Sequence, residues 1–173
     1  MNKNQIDINT LKSYSKENKE IYIFGADIVG KVIMEILEDN KIFIEGFLDN
    51  NKNKCFQNIK DYKVEHAPRE LLKIKKDSII LIASTYILDI INQIESYGFY
   101  NWFPIIKILE KNNIKNFDSY IKNDLKKNYS GGEFTGDFVN FGVSNMIESQ
   151  KKYLDEKKLF IRSIDIIVTE KCS

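Results

Sequence analysis

Ile21-Tyr22-Ile23-Phe24-Gly25-Ala26-Asp27-Ile28-Val29-Gly30 is the stretch on which the fold turns. Its first four residues are apolar on both sides of any pleat, which suits a strand covered on both faces, as in a parallel sheet. Gly25 ends that strand. From residue 28 to 37, Val29, Val32, Ile33, Ile36 and Leu37 form one apolar stripe at helical spacing. A strand, a glycine turn and a helix in direct succession make the first half of a right-handed parallel crossover.

The alternation repeats outward from there. Residues 42–48 read as a second strand that stops at Asp49-Asn50-Asn51. A polar loop follows, then a brief strand near Tyr62-Lys63-Val64 and a short helix opened by Pro68, a residue suited to a first helical turn. Ser78-Ile79-Ile80-Leu81-Ile82-Ala83 is a third major strand. A helix through Ile87, Ile90, Ile91 and Ile94 then ends at Gly98, and Asn101-Trp102-Phe103-Pro104-Ile105 gives one more strand. Upstream, residues 7–18 predict an amphipathic helix with Ile8, Leu11 and Tyr14 on one face. The expected class is α/β: a Rossmann-like, doubly wound, mostly parallel sheet over residues 1–108, with a C-terminal helical and strand extension. Residues 109–160 read as a linker and helical extension, with a loop at Ser130-Gly131-Gly132 and a helix over 145–159. Residues 161–169 have the pattern of a buried strand, an odd way to finish a domain, so the chain is expected to be the front of a longer protein.

Hydrophobic residues at 43% and aromatics at 12% are ordinary for a globular chain, and two prolines with eight glycines argue against a long disordered linker. Basic residues number 26 and acidic residues 25, a net charge of +1, so the global basic footprint of a nucleic-acid binder is missing. Lys107 to Lys127 carries six lysines but interleaves them with Glu110, Asp118 and Asp124, as a solvated helical face would. No run approaches the ~20 apolar residues of a membrane span. The opening Met1-Asn2-Lys3-Asn4-Gln5-Ile6-Asp7 lacks an apolar signal core. A cytoplasmic location without a membrane partner is expected. Cys55 and Cys172 make no disulfide framework, in keeping with a reducing compartment.

The glycine turn carries the chemistry. In the dinucleotide-binding fingerprint the first glycine permits the tight turn, the second lets backbone approach a pyrophosphate, and the third lets helix and strand pack closely. Gly25 and Gly30 hold the first and third places, and Asp27 holds the second. Asp49 ends the next strand, where an acid hydrogen-bonds a ribose hydroxyl. A helix N-terminus offers free amides and partial positive charge to an anion, but an aspartate there can cap the helix and repel a phosphate. Two readings result: a ligand whose phosphates are displaced, or an intact turn that no longer takes a dinucleotide. Asp49 also reads as a turn former, and Ser84-Thr85 either face the same crevice or cap the helix after them. His66, the sole histidine, reads as structural, and Cys55 lacks a basic partner nearby in sequence. Phe99, Tyr100, Trp102 and Phe103 read as core packing at the end of the sheet.

Residues 21–105 resemble the Rossmann-like domains of bacterial sugar-modifying proteins, namely sialic-acid-type sugar O-acetyltransferases and nucleotide-sugar dehydratases. The shared pattern is the strand-Gly-Ala-x-x-x-Gly turn, Glu45-Gly46-Phe47-Leu48-Asp49-Asn50, the Val64 strand before Pro68-Arg69-Glu70-Leu71-Leu72, and Ile80-Leu81-Ile82-Ala83-Ser84. The resemblance implies a small-molecule nucleotide ligand, NAD or a nucleotide-sugar. Gly25, Ala26, Asp27, Ile28, Gly30, Asp49, Asn50, Ala83 and Ser84 would form its site. Asp27 departs from the usual glycine.

Ile164-Asp165-Ile166-Ile167-Val168-Thr169-Glu170-Lys171-Cys172-Ser173 resembles the entry to a radical SAM domain, where a first barrel strand leads into a Cys-x-x-x-Cys-x-x-Cys loop. By that resemblance residues 161–173 begin such a domain, and Cys172 is the first ligand of a [4Fe–4S] cluster that works with S-adenosylmethionine in the full-length parent. The chain alone is then expected to be inactive, and the parent to be a radical SAM enzyme acting on a sugar or surface-glycan precursor. Two alternatives stand beside this. One is a degenerate Rossmann scaffold serving as a dimerisation module, consistent with a homodimer. The other is a stand-alone NAD-linked sugar oxidoreductase, against which the missing Tyr-x-x-x-Lys pair counts.

Overall fold

The computed structural model describes residues 5–111 and 136–156. Asp7 opens the first helix: its Oδ1 accepts the Thr10 N–H at 2.9 Å, satisfying an amide that the helix itself cannot. That helix, α1 (Ile8–Lys16), turns Ile8 and Leu11 inward. There follow β1 (Ile21–Phe24), α2 (Ile28–Asp39), β2 (Gly46–Asp49), β3 (Asn58–Ile59), β4 (Tyr62–His66) and α3 (Ala67–Glu70). After them come β5 (Ile79–Ile82), α4 (Ile87–Ser96), β6 (Trp102–Pro104), α5 (Ile106–Lys111) and α6 (Gly136–Glu156).

The six strands lie in the order β3-β4-β2-β1-β5-β6, and every pairing is parallel except that of β3 with β4. The chain moves from β1 outward through β2 to β4, then returns to the other side of β1 with β5 and β6. This is the Rossmann-like doubly wound sheet expected from the sequence. The apolar runs supply both faces. Ile21, Ile23, Phe47, Ile79 and Leu81 pack into one core with α1, α2 and α5, while Phe24, Leu48, Ile80 and Ile82 pack into a second with α3 and α4. Alternate residues of each strand therefore feed opposite cores, as the pleat requires.

Several boundaries differ from the sequence reading. The second strand begins at Gly46, not residue 42. Lys41 takes a left-handed φ of 59°, and the Ile42 N–H donates to the Leu37 carbonyl, closing the end of α2. Ile42 is thus buried by helix closure, and the ladder starts only when the Glu45 N–H reaches Ile21 O. The loop before β4 contains β3, which forms a small hairpin with β4 through a turn at Lys60, φ 52°. α6 starts at Gly136 and ends at Glu156, where the spacing predicted 145–159. The aromatic cluster divides: Phe99 and Trp102 are buried and Tyr100 is exposed. The strand expected at 161–169, and Cys172, lie outside the described residues. Among the described residues no helix is long and apolar enough to cross a membrane.

Candidate functional site

The direction of the crossovers reverses between β1 and β5, and an open sheet leaves a crevice beyond its strand ends at such a point. Here a cavity of about 420 Å³ opens at the carboxyl ends of β1, β2 and β5. Gly25 and Asp27 line it from the turn after β1. Asp49, Asn50, Asn51 and Lys54 line it from the loop after β2, and Ala83, Ser84, Thr85 and Tyr86 from the loop after β5. Asp89 and Ile90 of α4 and Met146 of α6 complete the wall.

The turn is built on two glycines for separate reasons. Gly25 has φ 116°, and a Cβ there would strike the carbonyl oxygen of Ala83. Gly30 has an ordinary helical backbone, but a Cβ there would strike the carbonyl oxygen of Gly25 and touch the Phe47 ring at 3.4 Å. The helix thus sits directly on the turn, the close approach for which the third glycine of the fingerprint is needed.

Asp49 fastens this arrangement. It is 8% exposed; its Oδ2 accepts the Ala26 N–H at 2.9 Å and its Oδ1 accepts the Asn51 N–H at 2.8 Å. One carboxylate therefore locks the glycine turn to the loop after β2. Asn50 is engaged as well, its side-chain amide exchanging hydrogen bonds with Gln93 of α4 at 2.8 and 3.0 Å. Asp27 occupies the N-cap position of α2 without capping it by its side chain. Its exposed carboxylate pairs with Lys54 Nζ at 2.5 Å, and that ammonium also lies 3.7 Å from Asp49 Oδ2. A capping role for Asp27 was one reading of the sequence; Lys54 draws the carboxylate outward instead. Burial pushes the nearby Lys31 ammonium below its ordinary range, against the attraction of Asp27.

Of the residues singled out from sequence, Gly25, Asp27, Asp49, Asn50, Ala83 and Ser84 meet in the crevice. Ala26, Ile28 and Gly30 lie behind its wall: Ala26 is held by Asp49, and Ile28 packs on the first core. Ser84 Oγ accepts the Tyr86 N–H at 3.2 Å, a local turn contact. Cys55 is buried, and its thiol lies 3.3 Å from the Asn51 carbonyl. Burial, with Asp49 and Glu65 nearby, pushes that thiol up, away from a reactive thiolate. Lys54, Tyr86, Asp89 and Met146 were not read as site residues. Lys54 sits in a Lys-Asn-Lys loop, Tyr86 and Asp89 follow Ser84-Thr85 into the start of α4, and Met146 reaches the crevice through tertiary packing. Among the described residues no three His, Cys, Asp or Glu side chains gather as a metal site.

A family model described as "C2185-like, N-terminal" matches residues 17–102, a span running from just before β1 to the start of β6 and holding most of the crevice wall. No curated protein matches the chain. Among solved structures, the chain is similar to the crystal structure of UDP-D-quinovosamine 4-dehydrogenase from Vibrio fischeri, with 22% identity and a TM-score of 0.44. That match covers 54% of this chain and 81% of the other.

Proposed function

We propose that the crevice binds a nucleotide, either NAD or a nucleotide-sugar, and that this Rossmann-like unit is the ligand-binding front of a larger radical SAM protein that modifies a sugar or surface-glycan precursor. The observation that carries the ligand reading is the crevice at the reversal point, walled by Gly25, Asp49 and Ser84 at three strand ends. In this reading Asp49, which keeps lone pairs beyond its two backbone bonds, accepts from a ribose or sugar hydroxyl. The amino end of α2 has no side-chain cap, and with Lys54 it faces the phosphates, which displace Asp27 from its ion pair. Turn residues Ala26, Ile28 and Gly30 act by holding the wall in place.

The radical SAM part rests on the sequence from Ile164 to Cys172, and the description of the matching family as N-terminal agrees with a domain that precedes others. A [4Fe–4S] cluster of this kind takes three protein thiolates, leaving one iron to bind S-adenosylmethionine. This chain has two cysteines, and Cys55 is buried in the loop after β2. Its own residues therefore do not fit the cluster, and Cys172 would need two partners from elsewhere in the parent.

A second reading has specific support. Both Asp49 oxygens are already bonded and Lys54 is held between two aspartates, so the same geometry suits a turn closed to phosphate, retained as a scaffold or dimerisation module. Thermal shift and calorimetry with NAD and UDP-N-acetylglucosamine separate the two. A ligand at a hundredfold excess over Kd adds ~2.7 kcal/mol of stability. Binding weakened at least about tenfold by Asp49→Asn supports the ligand site, since a lost charge-assisted hydrogen bond is worth about that much. Silence with both compounds favours the scaffold.

A further inference from the structure

Helix α6 lies across the carboxyl edge of the sheet, not against one face. Met146 belongs to the core on the α2 side, whereas Tyr153, two turns later, belongs to the core on the α4 side. Gln150 stands between them and is fully buried. Its Nε2 donates to the carbonyl of Ile82 at 2.8 Å and to that of Ser84 at 3.3 Å, while the Ser149 hydroxyl donates to the carbonyl of Thr85 at 3.0 Å. Ser84, Thr85 and Met146 all line the crevice. The side chains that seat α6 therefore grip the very segment that forms one crevice wall.

The seat is imperfect. Among the described residues, no hydrogen-bond donor reaches the buried Gln150 Oε1 or Asn145 Oδ1. Rotating the Gln150 amide does not cure this, because Nε2 already serves two carbonyls that only a donor can satisfy. Buried oxygens without donors penalise the docked helix relative to an undocked one that water can reach. Opposing that penalty, among the described residues, are the three hydrogen bonds from Gln150 and Ser149, the ion pair of Lys151 with Glu110 of α5 at 2.5 Å, the buried Met146 and Tyr153, and the partly buried Ile147 and Leu154. A helix whose docked seat carries that penalty belongs to the part of a fold that opens locally.

We propose that α6 is a strap that docks and undocks over the crevice, and that docking and occupancy of the crevice reinforce each other. The inference rests on the ligand reading of the crevice for its second half. A ligand that touches Ser84, Thr85 or Met146 meets its full set of contacts only when α6 is docked, so it shifts the helix toward that state, and docking raises its affinity by the same factor.

Hydrogen exchange on the full chain, read by mass spectrometry with and without NAD or UDP-N-acetylglucosamine, tests both halves. Without ligand, amides of residues 144–156 should exchange at least about tenfold faster than those of α2 and α4. Gln150→Ala should accelerate them further and loosen residues 82–86, while Glu148→Ala, on the exposed side of the helix, should change neither. With ligand, α6 should slow together with residues 25–30 and 49–51. Protection of α6 equal to that of α2 in the free chain overturns the strap, as does a ligand that protects the glycine turn and leaves α6 unchanged. If neither compound protects residues 25–51, it is the ligand reading that fails, and the Gln150→Ala comparison decides the strap: unaltered α6 exchange overturns it.

Discussion

Replacing Asp49 by alanine removes the acceptor of two backbone N–H groups, those of Ala26 and Asn51. The two losses differ in size. Ala26 is 6% exposed, so its N–H is left buried and unpaired, at ~1–3 kcal/mol. Asn51 is exposed, its N–H turns to water, and only the net worth of the bond is lost, ~0.5–1.5 kcal/mol. The ion pair with Lys54 is long, at 3.7 Å, and adds little. Asp49→Ala should therefore destabilise the chain by roughly 2–4 kcal/mol, a melting temperature lower by about 4–15 °C for a chain of this size. Asp49→Asn keeps one acceptor oxygen and should lose about half as much. Urea titration followed by the fluorescence of Trp102, the single tryptophan, reads both. An Asp49→Ala variant within about 0.5 kcal/mol of wild type at unchanged m-value refutes the view that this carboxylate fastens the turn. It also follows that ligand loss in Asp49→Ala says little by itself, and the asparagine variant is the fair test of binding.

Three more outcomes are expected. Gly30→Ala should destabilise by ~1–3 kcal/mol in the same titration despite the better helix propensity of alanine, because the added Cβ meets a backbone oxygen that cannot swing aside; a stabilised variant refutes the close approach. In a Cys172→Ser background, Cys55 should react with a disulfide reagent only as the chain unfolds, and rapid labelling of the native chain would contradict its burial. The Glu20 carboxyl is held below its ordinary value of 4.5, chiefly by the hydrogen bond from Lys75 at 2.6 Å, with Ser78 adding a second. A depressed folded value means the stabilisation is fully present above that ordinary value and is lost as pH falls through the folded one. Glu20→Gln should thus be less stable than wild type at pH 7, with a gap that narrows in acid below about pH 4.5; a gap that ignores pH refutes the pairing.

The parts of the fold that could be read from sequence are those where chemistry is local. β1 and β5 are apolar on both sides because both of their faces are covered, and Gly25 and Gly30 mark places where a Cβ has no room. Residues 42–45 misled because Ile42 and Ile44 are apolar for the sake of burial beside α2, and burial alone does not distinguish a strand from a helix exit. The β3–β4 hairpin was hidden because Lys60 and Asp61 carry no turn signature, even though Lys60 sits in the left-handed region. In the site, Asp49 was visible at a strand end. Its main partner, the Ala26 N–H, was not, since a backbone amide has no residue identity to read. Met146 was invisible for a related reason, since the topology and not its sequence neighbours brings it to the crevice, whereas Lys54 shares the loop of Asp49 but is one of two lysines there with nothing to single it out.

The two margins of the described sheet are both cut short. One is β3, two residues long, running antiparallel and joined to β4 by a tight hairpin; the other is β6, three residues long and closing on Pro104. A free edge invites a neighbouring molecule to extend the ladder, and brevity, twist and proline are the usual deterrents. With so few unpaired amides offered on either side, these margins give a second copy little to pair with in register. Strand-by-strand growth is therefore disfavoured at both margins of the described sheet.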